Sequence, residues 1–215
     1  MSLPRVTLVG SRLTLRPLVE ADLVHGYRWE RDQEVQHWAQ GDRAPAGLTY
    51  EEYCARFAPP FGHPGTLEHF AMLAENGVLI GFVGYFRVNR EVASAEVGIV
   101  IGECAYWGNG YGREAVSLLV RHLFTDLAMQ RVSLETWSGN ERAIRAYRAV
   151  GFREEGRLRR AQVVDGRFYD TVLMSMLREE CGAWFDEKAH PTPGPSPLAE
   201  ARERGGEMHT GSRDV

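Results

Sequence analysis

Apolar residues recur along this chain with two periods, and the switches between them mark the elements. From Ala115 to Leu127 the apolar positions are Ala115, Val116, Leu119, Val120, Leu123, Phe124 and Leu127. That spacing predicts a helix of about four turns. Ala143, Ile144, Tyr147 and Val150 predict one face of a second helix behind Asn140, a good N-cap. Strands are predicted at Phe70 to Glu75 and Val78 to Val88, joined by Asn76-Gly77, a strong hairpin signal. Further strands are predicted at Ala95 to Ile101, Arg131 to Thr136, Phe152 to Leu158 and Arg167 to Leu177, the last two flanking an Asp165-Gly166 turn.

The N-terminal part is more broken. Val6 to Val9 and Arg12 to Arg16 form a short extended start, interrupted at Gly10-Ser11 and stopped at Pro17. Glu20 to Arg31 predicts a helix with Asp22 in its first turn. Thr49, with Glu52 three residues on, predicts a capped helix to Phe57. Gly41 to Gly47 and Pro59 to Gly65 are loops. The order is strands, helix, strand, helix, strands, which implies an α/β or α+β sheet covered on both faces. No internal repeat is present. From about His190 the prolines 191, 193, 195 and 197 alternate and apolar content falls away. Residues 1–185 are therefore one domain, and 186–215 an extended, passive tail.

Composition narrows the function. The chain has 215 residues and a net charge of −4, so there is no overall basic footprint for nucleic acid. Lys188 is the only lysine, which excludes a lysine nucleophile or a P-loop lysine in the folded part. Cys54, Cys104 and Cys181 are far apart and odd in number, which is neither a disulfide framework nor a zinc set. His63 and His69 are not spaced as a helical metal pair, and no metal is assigned. There is no membrane-length apolar run and no signal-peptide core, so a reduced cytoplasmic setting is expected.

The candidate chemistry centres on Trp107-Gly108-Asn109-Gly110-Tyr111-Gly112, between a predicted strand and the longest predicted helix. A strand, a glycine loop and a helix N-terminus together make an anion site, most often for phosphate. Arg113 adds a fixed charge. A dinucleotide fold needs G-x-G-x-x-G on a tight turn. Here the glycines run G-x-G-x-G, and Glu103 to Trp107 separate strand from loop. A glycine-rich turn without a ligand is the plainer alternative.

Trp107 to Gly112, followed by Asn140-x-x-Ala143-x-x-x-Tyr147-x-x-x-Gly151-Phe152, resembles the two motifs of the GNAT acetyltransferases, in the family's order. The resemblance covers roughly residues 10 to 178 and is nearest to the ribosomal-protein-alanine/serine N-acetyltransferase branch. One departure is Trp107, where the family motif Q/R-x-x-G-x-G/A has Gln or Arg. The resemblance implies a mixed, mostly antiparallel sheet of six to seven strands, splayed at the cofactor site. It implies acetyl-CoA as co-substrate and direct acetyl transfer to a primary amine, on a protein N-terminus or a small molecule, in a ternary complex. A non-catalytic acyl-CoA-binding module and a detoxifying small-molecule acetyltransferase are the rivals.

Carried onto this chain, the cofactor residues are Ile99, Val100, Ile101, Trp107, Gly108, Asn109, Gly110, Tyr111, Gly112, Arg113, Asn140, Ala143 and Tyr147. Tyr147 falls seven positions after the motif asparagine, as the family's thiolate-protonating tyrosine does. Spacing alone favours a buried aromatic there. Glu135, five positions before Asn140, matches the family's general base, and Glu96 is the rival. The acceptor end is implied at Trp29, Glu96 and Trp38, with Tyr50, Tyr53, Phe57 and the arginine-rich stretch Arg157 to Phe168 nearby. Those arginines suit an acceptor bearing a carboxylate rather than a polyamine. A homodimer is also implied.

Overall fold

The structure is a computed structural model, and it describes residues 6–39, 48–57 and 68–184. Eight strands form one open sheet: β1 Leu8–Val9, β2 Leu13–Pro17, β3 Glu68–Ala74, β4 Leu79–Asn89, β5 Ser94–Ile101, β6 Arg131–Trp137, β7 Arg153–Val164 and β8 Arg167–Leu177. Their order across the sheet is β1-β2-β3-β4-β5-β6-β8-β7. Every pairing is antiparallel except β5 with β6. The helices are α1 Leu23–Trp29, α2 Gln33–Trp38, α3 Tyr50–Phe57, α4 Tyr111–Thr125 and α5 Glu141–Val150.

Period-two alternation gives the sheet two apolar faces, and each takes helices. Phe70 pairs with Val83, and its neighbour Ala71 with Phe82, so Phe70 and Phe82 point to opposite sides. Phe70 meets His122 of α4, with ring centroids 6.3 Å apart. Phe82 meets Trp29 of α1 at 5.1 Å. Of the stripe that predicted α4, Ala115, Val116, Leu119, Val120, Leu123 and Phe124 are buried, while Leu127 is half-buried and lies past the helix end at Thr125. Thr49 caps α3 as predicted: its hydroxyl accepts from the Glu52 amide, and the Glu52 carboxylate accepts from the Thr49 amide at 2.7 Å.

Four expectations need correction. The sheet has eight strands, not six to seven, because the chain reverses at Gly10 and the two-residue β1 pairs on its own. β7 runs to Val164, well past Leu158. It is the exposed sheet edge, so no buried face imposes alternation on Arg159, Arg160 and Gln162. The helix α2 was not foreseen. It is six residues long and buries only Val35, too little for a period, although Asp32 caps it by accepting from the Glu34 and Val35 amides. The predicted helix over Glu20 to Arg31 opens as a 3-10 turn at Glu20–Asp22 before α1, and Asp22 is bound by Arg16 at 2.6 Å. The loops at 41–47 and 59–65, the Phe57 side chain and the tail lie outside the described residues.

Candidate active site

β5 and β6 run side by side for only three pairs, Ser94 with Arg131, Ala95 with Val132 and Glu96 with Ser133. Beyond them the strands diverge. Two parallel strands that part leave main-chain N–H and C=O groups facing the gap, free to pair with an extended ligand. After Ile101 the chain turns through Cys104–Tyr106 into the glycine loop and then α4. Gly108 has φ +75 and Gly110, the N-cap, has φ +86, a region that L side chains enter only with strain. These two turns bring the loop into the N-terminus of α4, whose first amides have no partner inside the helix.

Glu114 in that first turn is held away from the anion site. Its Oε1 accepts from the Ser11 and Arg12 amides at 2.5 and 2.9 Å. Burial alone would raise its pKa, but these bonds outweigh it and hold the carboxyl below its ordinary value. The same contact aims Arg12. Its guanidinium donates to the Asn109 carbonyl at 2.7 Å and lies 5.2 Å from the Tyr111 ring centroid, beside the glycine loop.

A cavity of about 530 Å³ runs from the glycine loop to the splay. It is lined by Ile99, Val100, Ile101, Trp107, Gly108, Asn109, Gly110, Gly112, Arg113, Asn140, Ala143 and Tyr147, and by Trp38 at one end. The lining also includes Arg12, Arg142 and Arg145, so among the described residues it presents four arginines and no acidic side chain. In a chain of net charge −4, that concentration of cations beside a helix N-terminus fits a polyanionic cofactor.

Two α5 residues shape the inner wall. Asn140 accepts from the Ala143 amide at 3.2 Å, capping the helix, and donates to the Trp38 carbonyl at 3.3 Å. The Tyr147 hydroxyl is pushed up to about 12 by burial, so it stays protonated at ordinary pH. The face predicted for α5 splits in two: Ile144 and Val150 enter the core, while Ala143 and Tyr147 line the cavity.

Four predicted site residues do not line the cavity. Tyr111 is buried against Tyr106, with centroids 5.4 Å apart. Trp29 is 3 % exposed; it packs on Gly102 and donates to Glu103 at 3.1 Å, as a core residue would. Glu96 and Glu135 stand on the opposite sheet face from α4, across the splay. The Glu96 carboxylate is tied to Arg87 at 2.9 Å. Glu135 is exposed and makes no hydrogen bond or ion pair with a described residue. Tyr53 is buried against α1, Tyr50 packs on Tyr27 at 5.3 Å, and Arg157 pairs with Glu154 at 2.6 Å.

Sequence reasoning missed Arg12, Val35, Ala39, Arg142, Arg145, Ala146 and Ala149. The α5 members had a signal: Arg142, Ala146 and Ala149 recur at helical spacing, and small residues leave a groove along a helix. Arg12 had none, because it reaches the loop from the turn before β2, about a hundred positions away.

A strand, glycine loop and helix opening on a cationic cleft between parting strands define a coenzyme-dependent transferase site. A family profile described as an acetyltransferase (GNAT) domain matches residues 12–153. The uncharacterized N-acetyltransferase p20 of Bacillus licheniformis is 30% identical over 178 residues, 81% of this chain and 97% of that one. The spermidine N(1)-acetyltransferase of Vibrio cholerae is 25% identical over 80% of this chain and 96% of its own length. The crystal structure of a Vibrio cholerae spermidine N-acetyltransferase with CoA and spermine superposes with a TM-score of 0.71 at 24% identity, covering 80% of this chain and 98% of that one. This chain belongs to the GNAT acetyltransferase family. It is an acetyl-CoA-dependent N-acetyltransferase, and its open, mostly antiparallel sheet is the family's fold.

Proposed function

We propose that this enzyme acetylates a single primary amine, on a protein N-terminus or on a small molecule that also bears a carboxylate. Glu135 is the base and Tyr147 the acid. The observation that carries the reading is the cavity: a cationic mouth at the glycine loop leads to Tyr147 and the gap between β5 and β6. The phosphates would lie against the amides of Gly108 to Gly112, and the pantetheine arm against Ile99 to Ile101. Catalysis then rests on positioning, with one proton leaving the amine and one reaching the departing sulfur.

The acceptor reading is supported by the charges on the face opposite α4. Glu96 is tied to Arg87, and Glu155 to Arg131 at 2.6 Å, while Glu135 has no cationic partner among the described residues. One free carboxylate suits one ammonium group, whereas a polyamine needs several. We also assign a homodimer, supported by the exposed edge strand β7 and by Leu158, Val163 and Phe168, each more than half exposed. The setting is cytoplasmic, in line with three free cysteines.

The test is calorimetry with acetyl-CoA and CoA, then thiol release against N-terminal peptides, amino acids and polyamines. Tight cofactor binding with turnover on single amines is expected. Turnover on polyamines alone overturns the acceptor assignment, and no cofactor binding overturns the whole reading. Light scattering in solution checks the dimer.

A further inference from the structure

We infer that Arg142 is a cofactor-positioning residue that binds the diphosphate from α5, with Trp107 as the platform that aims it. This rests on the cofactor reading above. Arg142 lines the cavity and is half-buried, yet its guanidinium makes no hydrogen bond or ion pair with any described residue. Its described partners are two indole faces, Trp107 at 4.4 Å and Trp38 at 5.1 Å from ring centroid to Cζ. Burial between them lowers its pKa from the ordinary guanidinium value. Only the more distant charges of Cys104 and Glu34 oppose that lowering, so a half-buried guanidinium with no bonded anion gains from a ligand that supplies one.

The platform is itself fixed. The Trp107 indole nitrogen donates to the Ile101 carbonyl at 2.7 Å, at the end of β5. The ring therefore stands where the chain leaves the splay and starts the glycine loop. Arg142 sits at the second helical position of α5, on the other side of the same cleft. A ligand passing from the loop amides into the splay must run past this stacked pair. The group there that can take a planar, five-donor guanidinium is a phosphate, bound by paired N–H···O contacts. Arg142 is closer to Trp107 than to Trp38, which favours the phosphate end over the acceptor end.

The test is calorimetry on the full-length chain with CoA, 3′-dephospho-CoA and pantetheine. Arg142→Ala is expected to weaken CoA and dephospho-CoA alike, by about tenfold to a hundredfold, from the loss of charged hydrogen bonds. Pantetheine, which lacks the diphosphate, keeps its affinity. Arg142→Lys recovers part of the loss, and Trp107→Ala reproduces the pattern more weakly. Should Arg142→Ala fail to fold, Arg142→Gln is read the same way. Equal loss on all three ligands, loss on CoA but not on dephospho-CoA, no loss, or a change only in the acceptor KM each overturns the assignment. If the unaltered enzyme binds none of the three, it is the cofactor reading that fails.

Discussion

Asn140 joins α5 to α2 through one side chain: its oxygen accepts from the Ala143 amide while its nitrogen donates to the Trp38 carbonyl, 102 positions away. The wall of the cavity and the segment that closes its end are thus set by one amide group. Asn140→Ala is expected to lose the cap, about 1 kcal/mol, and to weaken cofactor binding. Asn140→Asp keeps the cap but faces the Trp38 carbonyl with a second acceptor. It should melt near the unaltered protein yet bind CoA as poorly as the alanine variant. Thermal melts and calorimetry separate the two jobs.

Tyr147→Phe should lower kcat by about a hundredfold or more, the usual share of a general acid, with CoA affinity unchanged. The pH dependence of the ratio between the two enzymes isolates the phenol. With the hydroxyl at about 12, the kcat/KM ratio should stay flat through the ordinary phenol value of about 10 and shrink only above it. A ratio that falls near neutral pH removes Tyr147 as the acid.

Glu135 and Glu96 separate by partner. Glu135→Gln should lower kcat by about a hundredfold at neutral pH, with part of the loss regained as pH rises and more free amine is present. Glu96→Gln releases Arg87 and should leave kcat near that of the unaltered enzyme. The reverse order makes Glu96 the base.

Two glycines of the loop differ in what stands beside them. Each has positive φ, so an alanine costs about 1–2 kcal/mol at either position. A Cβ at Gly108 meets nothing within 4 Å, whereas one at Gly110 comes 2.8 Å from Arg12. Gly108→Ala should therefore lower Tm and weaken CoA binding less than the change at Gly110 does. Gly110→Ala should lower both, because Arg12 must move. Equal binding losses count against Arg12 as part of the site.

Glu155 predicts the acid side of the stability curve. Hydrogen bonds from Arg131 and Ser175 hold its carboxyl at about 2, down from 4.5. A folded-state value below the unfolded one stabilises the fold above about 4.5, and that contribution is lost as pH falls toward about 2. Glu155→Gln should thus melt lower than the unaltered protein at neutral pH, and the gap should close on acidification through that window. A gap independent of pH makes the interaction one of packing alone.

Much of the fold was legible because its signals are local. The Asn76-Gly77 and Asp165-Gly166 turns, the Thr49–Glu52 cap and the α4 stripe each lie within a few residues, and each formed as predicted. The failures are places where local signal is absent. α2 buries one residue, and β7 has no buried face to impose a period.

The same division runs through the site. The sequence by itself determined the glycine loop, the helix behind it and the Asn140–Tyr147 spacing, because each is a short-range pattern with a chemical reason. Only the tertiary structure decided that Trp29 is core, that Glu96 pairs with Arg87 while Glu135 has no cationic partner among the described residues, and that Arg12 and Arg142 stand at the cavity. Those facts depend on contacts between elements, from 9 positions apart for Arg87 and Glu96 to 97 for Arg12 and Asn109, or on which side of a strand faces an open gap. Sheet order and packing set both, and neither leaves a period in the chain.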